Sequence, residues 1–280
     1  MYPHDLHLPG ATLSIWNSVF LLAIVAAYFV FRSSVGAEPR LTLPTLRYVV
    51  VVYLSALAAQ IFAYAFDANT SLTPPPDVSA AAWYLSPLAG PKTLYGVIVL
   101  MPVSVALATF GTGLSLRRTL DLWTPAMLVV LATARVGCLL QGCCFGARSD
   151  LLGVSFPVGS PVYYQQLGAG LIAAGSPALP VIPTQAIEAA FLAMLALWSL
   201  RRRGAADPFG LFVPVVAAYS VFRFVIEFVR ADVERGFYGP LATSQWIALV
   251  VLAAAAIAAA RVRVSAAVAV APDVAHRLAR

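Results

Sequence analysis

Apolar residues fill this 280-residue chain in long runs that short polar connections separate. A helix needs roughly 20 apolar residues to cross the hydrocarbon core of a bilayer, and seven runs approach that length. The pattern predicts an all-α, polytopic membrane protein with seven transmembrane helices in one integral membrane domain, residues 1–280. The predicted spans are 13–31, 46–66, 94–112, 123–140, 184–200, 209–229 and 244–260.

Composition and charge agree with this class and orient the chain. Hydrophobic residues make up 61% of the sequence and charged residues only 11%, whereas soluble proteins carry about a quarter. The net charge of +6 arises mostly in alternate connections, which hold 12 of the 18 basic residues. By the positive-inside rule the N-terminus lies outside and the C-terminus lies in the cytoplasm. The basic residues therefore orient the chain, so that no nucleic-acid partner is expected, and the bias suits a bacterial inner (plasma) membrane.

Two connections on the predicted outer side are long. Residues 67–92 are rich in proline, and Trp83 and Tyr84 within them are expected at the membrane interface. Residues 145–183 are rich in glycine, proline and serine and are predicted to form the outer (periplasmic) loop. A loop of that length is usually a lid or a binding loop. The alternative is a passive cover over the bundle.

Charged residues inside the predicted spans are the candidates for function, because such residues are costly in a membrane and usually face a polar interior. At about 1.5 Å rise per residue, Arg135, Glu188, Arg223 and Glu227 share one layer in the outer half of the bilayer. Together with Arg230 they give three arginines against two acids, and we expect a phosphate to balance the remaining charge. A guanidinium suits phosphate because its planar fork forms paired hydrogen bonds. The alternative is a structural ion pair between Arg223 and Glu227.

All three cysteines lie in the segment RVGCLLQGCCFG, residues 135–146. On a continuous helix Cys138 shares the face of Arg135. Cys143 joins that face unless Gly142 ends the helix, and Cys144 is rotated away from it.

Four segments resemble the prolipoprotein diacylglyceryl transferase family. RVGCLLQGCCFG resembles the family pattern R-I-G-N-F-I-N-G-E-x-x-G, and YSVFRFVIEFVR at 219–230 resembles Y-G-x-F-R-F-x-x-E-F-x-R. PTQAIEA at 183–189 is similar to H-P-[ST]-Q-L-Y-E, and GPLATSQWIAL at 239–249 is similar to the segment before the family's last helix. The resemblance covers most of residues 120–255 and agrees with seven spans and an outside N-terminus.

The resemblance implies an enzyme of lipoprotein biosynthesis that uses no cofactor and no metal. It would transfer a diacylglyceryl group from phosphatidylglycerol, a membrane lipid, to the lipobox cysteine of a pre-lipoprotein signal peptide, or catalyse a closely related phospholipid-using reaction. Arg135 and Arg223 are then expected to hold the lipid phosphate, and Tyr219 and Glu227 to position or polarise the reacting groups. The substrate-binding residues expected are Gly137, Cys138, Gln141, Gly142, Cys143, Gly146, Gln185, Glu188 and Arg230.

The chain departs from the family pattern mainly at side chains that could carry protons. Cys138 and Gln141 replace asparagines, Cys143 replaces a glutamate, and Ile182 replaces a histidine. The histidine expected early in the third span has no counterpart either. The alternative function is a membrane thiol protein that binds a soft metal or handles redox through Cys138, Cys143 and Cys144. A third interpretation treats these cysteines as small packing residues.

Overall fold

The computed structural model describes residues 6–8, 11–13, 15–36, 41, 43–66, 94–202, 210–232 and 236–278. These residues are mostly helical, in agreement with the predicted class. The helices are α1 Ile15–Val35, α2 Pro44–Phe66, α3 Leu94–Ala108, α4 Leu116–Gln141, α5 Pro161–Gly168, α6 Thr184–Arg201, α7 Phe212–Ile226 and α8 Thr243–Leu278. Two short antiparallel hairpins accompany them, β1 Leu6–Leu8 with β2 Ala11–Leu13, and β3 Phe237–Tyr238 with β4 Leu241–Ala242.

Each of the seven predicted spans overlaps one of these helices, and the overlapping helices range from 15 to 36 residues in length. By length and composition, three stretches of the described residues are long and apolar enough to cross a membrane: Ser18–Val35, Leu116–Gln141 and Thr243–Val262. Pro44–Ala58 and Phe212–Ile226 are shorter apolar helices. The count of seven spans and the orientation of the termini therefore stay predictions. The 67–92 connection, with Trp83 and Tyr84, lies outside the described residues.

Helix α4 is the central element of the bundle because it packs against both α1 and α6. Its contact with α1 includes an aromatic cluster, in which the ring centroids of Phe31 and Trp123 lie 4.2 Å apart. Tyr48 from α2 stacks on Trp123 at 5.8 Å, and its hydroxyl donates to the Ile24 carbonyl at 2.6 Å. A buried tyrosine needs such a partner for its hydroxyl. The cluster fixes α4 against the N-terminal helices.

Glycine ends α4 at the start of the 145–183 loop. Gly142 has a φ of 77°, in the left-handed region that glycine adopts at low cost. A β-carbon there would lie 2.9 Å from the ring of Phe156. The helix therefore stops at Gln141, and the chain turns back over the bundle.

The 145–183 loop folds as a small unit with its own apolar core. Buried side chains from both of its ends and from α5 meet in this core, namely Phe145, Phe156, Val162, Tyr163, Ala178 and Val181. The buried amide of Gln166 accepts from the Leu179 N–H at 2.7 Å and donates to the Leu179 carbonyl at 3.2 Å. The loop thus has a fixed shape, and its role as a lid, a binding loop or a cover stays a prediction.

A carboxylate from α4 caps the start of helix α7. Asp121 Oδ1 accepts hydrogen bonds from the Leu211 N–H at 2.7 Å and the Phe212 N–H at 3.0 Å. These N–H groups at a helix start have no partner within the helix. Gly210 is required beside them, because it has a φ of 68° and a β-carbon would clash with the Asp121 carboxylate. The contact sets where α7 starts relative to α4.

We therefore expect Asp121→Ala to destabilise the protein by about 1 kcal/mol, as loss of a helix cap usually does. The measurement is the free energy of unfolding in detergent micelles. Asp150→Ala is the matched control, because it removes a carboxylate from an exposed pair with Arg148. Equal stability of the two variants would contradict a capping role for Asp121.

Candidate functional site

A buried carboxylate joins three helices at the centre of the predicted site. Arg135 Nε on α4 lies 2.9 Å from Glu188 Oε2 on α6. The Tyr219 hydroxyl on α7 donates to the other oxygen, Glu188 Oε1, at 2.6 Å. All three residues are buried. The structure thus brings into contact two of the residues, Arg135 and Glu188, that were predicted to share one depth.

A second buried pair lies at the end of α7. Arg223 Nη1 is 2.6 Å from Glu227 Oε2, and the Nη1 atom of Arg230 lies 4.0 Å from the same oxygen. Tyr219, which contacts the first group through Glu188, lies one helical turn before Arg223 on α7. The ion pair that the sequence offered as an alternative to a phosphate site is therefore present. Its presence leaves the function of Arg223 to be tested.

The expectation of one unbalanced arginine is wrong, because Asp232 supplies a third acid. Arg230 binds that carboxylate through two nitrogens, Nε to Oδ1 at 2.9 Å and Nη2 to Oδ2 at 2.6 Å. Three arginines thus face three acids: Arg135 with Glu188, Arg223 with Glu227, and Arg230 with Asp232. Asp232 follows the predicted span and was not counted as a membrane charge. It is buried because the chain after α7 runs back against the 145–183 loop, where the Ala231 N–H donates to the Phe145 carbonyl at 3.1 Å.

Backbone contacts hold the loop after α4 against the start of α6. Gln185 Nε2 donates to the Cys143 carbonyl at 2.5 Å, and Thr184 Oγ1 donates to the Cys144 carbonyl at 2.7 Å. The Gly146 N–H donates to the Ile182 carbonyl at 2.9 Å. A β-carbon at Gly146 would lie 2.9 Å from atoms of Ile182 and Thr184, so only glycine allows this approach. Thr184 has this role although the sequence analysis did not select it.

The three cysteines converge in the turn after α4. Because α4 ends before Gly142, Cys143 does not share the helical face of Arg135, and the prediction that Cys144 points away is wrong. The sulfur atoms of Cys138, Cys143 and Cys144 all lie within 4.8 Å of one another. Each residue is a free, half-buried cysteine, and the Cys143 thiol donates to the Cys138 carbonyl at 3.8 Å.

Cys144 has the most polar environment of the three thiols. The proximity of the Cys138 and Cys143 thiols holds the pKa of Cys144 well below its usual value, and the positive charges of Arg230 and Arg135 act in the same direction. Burial opposes these effects without cancelling them.

The remaining predicted residues lie close by in the chain. Gly137 is buried in α4 two residues after Arg135, and Gln141 is the half-buried last residue of that helix. The site is thus assembled from the end of α4, the start of α6, the end of α7 and the loop between α4 and α6.

Comparison with known proteins gives the family of the chain. The sequence model of the family described as prolipoprotein diacylglyceryl transferase matches residues 3–261. The chain belongs to the prolipoprotein diacylglyceryl transferase family. The resemblance noted from the four segments is therefore confirmed, and it extends into the N-terminal helices.

Several curated relatives carry the family's name. Phosphatidylglycerol–prolipoprotein diacylglyceryl transferase 2 of Clostridium perfringens is 30% identical over 164 residues, which are 57% of this chain and 57% of the relative. The phosphatidylglycerol–prolipoprotein diacylglyceryl transferase of Clostridium tetani is 32% identical over 170 residues, 59% of this chain and 61% of the relative. The phosphatidylglycerol–prolipoprotein diacylglyceryl transferase of Dehalococcoides mccartyi is 32% identical over 164 residues, which are 58% of each chain. The match thus spans less than two thirds of each of these relatives.

The contacts of Glu188 yield a prediction about stability. We expect Glu188→Gln to lower the free energy of unfolding by about 3–5 kcal/mol, because it leaves the buried Arg135 without a charged partner. Asp150→Asn, in the exposed pair with Arg148 at 3.7 Å, should cost less than about 1 kcal/mol. Denaturant titration in mixed micelles measures both. A similar small loss in both variants would show that the Arg135–Glu188 pair is not desolvated.

Proposed function

We propose that this protein is a membrane enzyme that transfers a diacylglyceryl group from phosphatidylglycerol to the lipobox cysteine of a pre-lipoprotein. The match of the family model to residues 3–261 carries this proposal. The relatives' names supply the two substrates. The family match does not favour the alternative, in which a membrane thiol protein acts through its cysteines.

The buried arginines are suited to the phosphate of the lipid donor. Arg135 contacts Glu188 through Nε, and a guanidinium has four further N–H donors on its two Nη atoms. Arg223 contacts Glu227 through Nη1. We assign both residues to the phosphate, with the acids orienting the guanidiniums. The charge balance does not by itself require an anion, because Asp232 neutralises Arg230.

The reaction needs stabilisation of a leaving phosphate and removal of one proton. The thiolate sulfur of the lipobox cysteine attacks the glyceryl carbon that bears the phosphate, a carbon–sulfur bond forms, and glycerol-1-phosphate leaves with the electrons of the carbon–oxygen bond. Two fixed guanidiniums stabilise the charge that develops on the leaving oxygen. The thiol proton passes to a base, since only the thiolate attacks well. We assign Tyr219 and Glu227 to position the reacting groups, because each contacts the ion pair of a phosphate-binding arginine. Tyr219 binds Glu188, the partner of Arg135, and Glu227 binds Arg223.

The remaining candidates belong to the walls of the same site. We assign them to substrate binding as a group: Gly137, Cys138, Gln141, Gly142, Cys143, Gly146, Gln185, Glu188 and Arg230. Their position supports this, because they lie at or near the end of α4, the start of α6 and the turn after α7. Gly142 and Gly146 act through the backbone path that they permit.

The decisive experiment supplies the purified protein with phosphatidylglycerol and a lipobox peptide and detects the thioether product by its mass. We expect product with the cysteine peptide and none with a peptide that has serine in its place. Arg223→Lys should lower turnover by roughly 10²-fold or more, because it keeps the charge beside Glu227 but loses the fork geometry. Thermal stability should change little. Arg148→Lys, in an exposed pair, is the control and should leave turnover unchanged.

Two results would contradict the proposal in different ways. No thioether product from a folded, lipid-supplied protein would exclude the transferase reaction. The Arg223→Lys variant could instead lose stability but keep its turnover per folded molecule. That result would be compatible with the transferase reaction but would exclude the phosphate role of Arg223.

We further propose a seven-span arrangement in a bacterial inner membrane, with the N-terminus and residues 145–183 outside and the C-terminus in the cytoplasm. The helices in each predicted span and the charge bias of the connections support it. In this orientation the loop between α4 and α6 lies on the side from which a pre-lipoprotein signal peptide would approach.

This orientation predicts which positions react from outside. In a background without the native cysteines, Ser155→Cys should react with an impermeant thiol reagent in intact cells, and Gly204→Cys should react only after the cells are lysed. Ser155 is exposed in the loop. Labelling of position 204 in intact cells would overturn the orientation.

A further inference from the structure

The three cysteines form a group whose thiols take no bond-forming part in the proposed transferase reaction, although we assigned Cys138 and Cys143 to its substrate-binding wall. Their sulfur atoms lie within 4.8 Å of one another, although Cys138 belongs to α4 and the other two to the turn beyond it. Three thiolates around one metal at about 2.3 Å would be separated by roughly 4 Å. A small closure of the observed group is enough to reach that geometry.

We propose that Cys138, Cys143 and Cys144 form a binding site for one soft, thiophilic metal cation, and that Cu⁺ is the ion that suits it best. Thiolates select soft cations such as Cu⁺ and Zn²⁺ over Ca²⁺ or Mg²⁺. Within the described part of the chain, the group of possible ligands consists of these three cysteines alone. Structural zinc almost always takes four ligands. Three soft ligands therefore favour Cu⁺.

The protein holds the ligand-bearing turn in place before any ion arrives. Thr184 and Gln185 at the start of α6 donate to the carbonyls of Cys144 and Cys143, at 2.7 Å and 2.5 Å. Cys144 has a φ of 60°, a left-handed conformation that costs energy in a residue other than glycine. Such a conformation persists only when its surroundings enforce it. Here the hydrogen bonds from α6 enforce it and keep the Cys144 sulfur beside the other two.

Two arginine side chains influence the charge on the cysteine group. Arg135 and Arg230 both interact electrostatically with Cys144. Three thiolates with one Cu⁺ carry a net charge of −2, which is costly in a partly buried position unless cations lie close by. Each guanidinium also pairs with a carboxylate, Arg135 with Glu188 and Arg230 with Asp232, so the two arginines offset part of that charge. The site therefore adds a metal-binding function whose ligands include Cys138 and Cys143 of the proposed substrate site, and this function does not depend on the transferase proposal.

The test titrates the reduced, full-length protein in detergent with an acetonitrile-stabilised Cu⁺ salt, without oxygen and against a coloured Cu⁺ chelator. We expect one Cu⁺ retained per chain and X-ray absorption from three sulfur neighbours. Each of Cys138→Ser, Cys143→Ser and Cys144→Ser should weaken retention by roughly 100-fold or more, because loss of a ligand exceeds the 10–100-fold effect of outer-shell changes. Ca²⁺ and Mg²⁺ should not compete.

A variant in which all three cysteines are alanine serves as the background for the control. Adding the exposed Ser155→Cys to it provides a single thiol elsewhere in the same loop, and this should not restore retention. Retention of Cu⁺ by that control at the affinity of the native protein would overturn the site, because one thiol would then suffice.

The native protein provides a second measurement that does not depend on the variants folding. Bound Cu⁺ should protect all three cysteines from alkylation together. Protection of only one cysteine would overturn the three-thiol site, as would a disulfide between two of the three that survives mild reduction. Preferential retention of Zn²⁺ with a fourth, light-atom ligand would overturn the choice of Cu⁺. Neither the titration nor the alkylation uses lipid or peptide, so failure here is distinguishable from failure of the transferase assay.

Discussion

The structure depends on one carboxylate that serves two partners in the interior of the bundle. Glu188 binds Arg135 with one oxygen and Tyr219 with the other. Because charges are costly away from water unless they are paired and hydrogen-bonded, these contacts specify how α4, α6 and α7 meet. The rest of the site lies on those three helices or on the loops that join them. Stability and chemistry therefore share the same atoms, and stability must be measured before lost activity can be assigned to chemistry.

The sequence predicted the parts of this arrangement that follow from the pattern of apolar residues and from the free-energy cost of burying charge. Long apolar runs placed the helices, and the expense of burying charge singled out Arg135, Glu188, Arg223 and Glu227. What it could not predict was where the chain goes after a helix ends. Asp232 lies just beyond α7 and is buried only because the loop between α4 and α6 packs against that stretch.

The convergence of the cysteines was missed for the same physical reason. A helical projection carried past Gln141 separates Cys144 from Cys138, but Gly142 takes a left-handed conformation and reverses the chain. The choice between helix and turn at a glycine depends on tertiary contacts as well as on local preference. Here the ring of Phe156 occupies the space that a β-carbon would need. That contact comes from the loop and could not be read from the local sequence.

The contacts between the turn after α4 and the start of α6 explain how this turn tolerates the chain's departures from the family pattern. Gln185 and Thr184 bind main-chain carbonyls at positions 143 and 144, and Gly146 approaches α6 through its own main chain. None of these contacts uses the side chain of Cys143 or Cys144. A cysteine in place of the family's glutamate therefore changes what the turn presents to the site while leaving its support intact. The three buried arginines, Glu188 and Glu227 are different, because their side chains are the contacts, and these are residues that match the quoted family pattern.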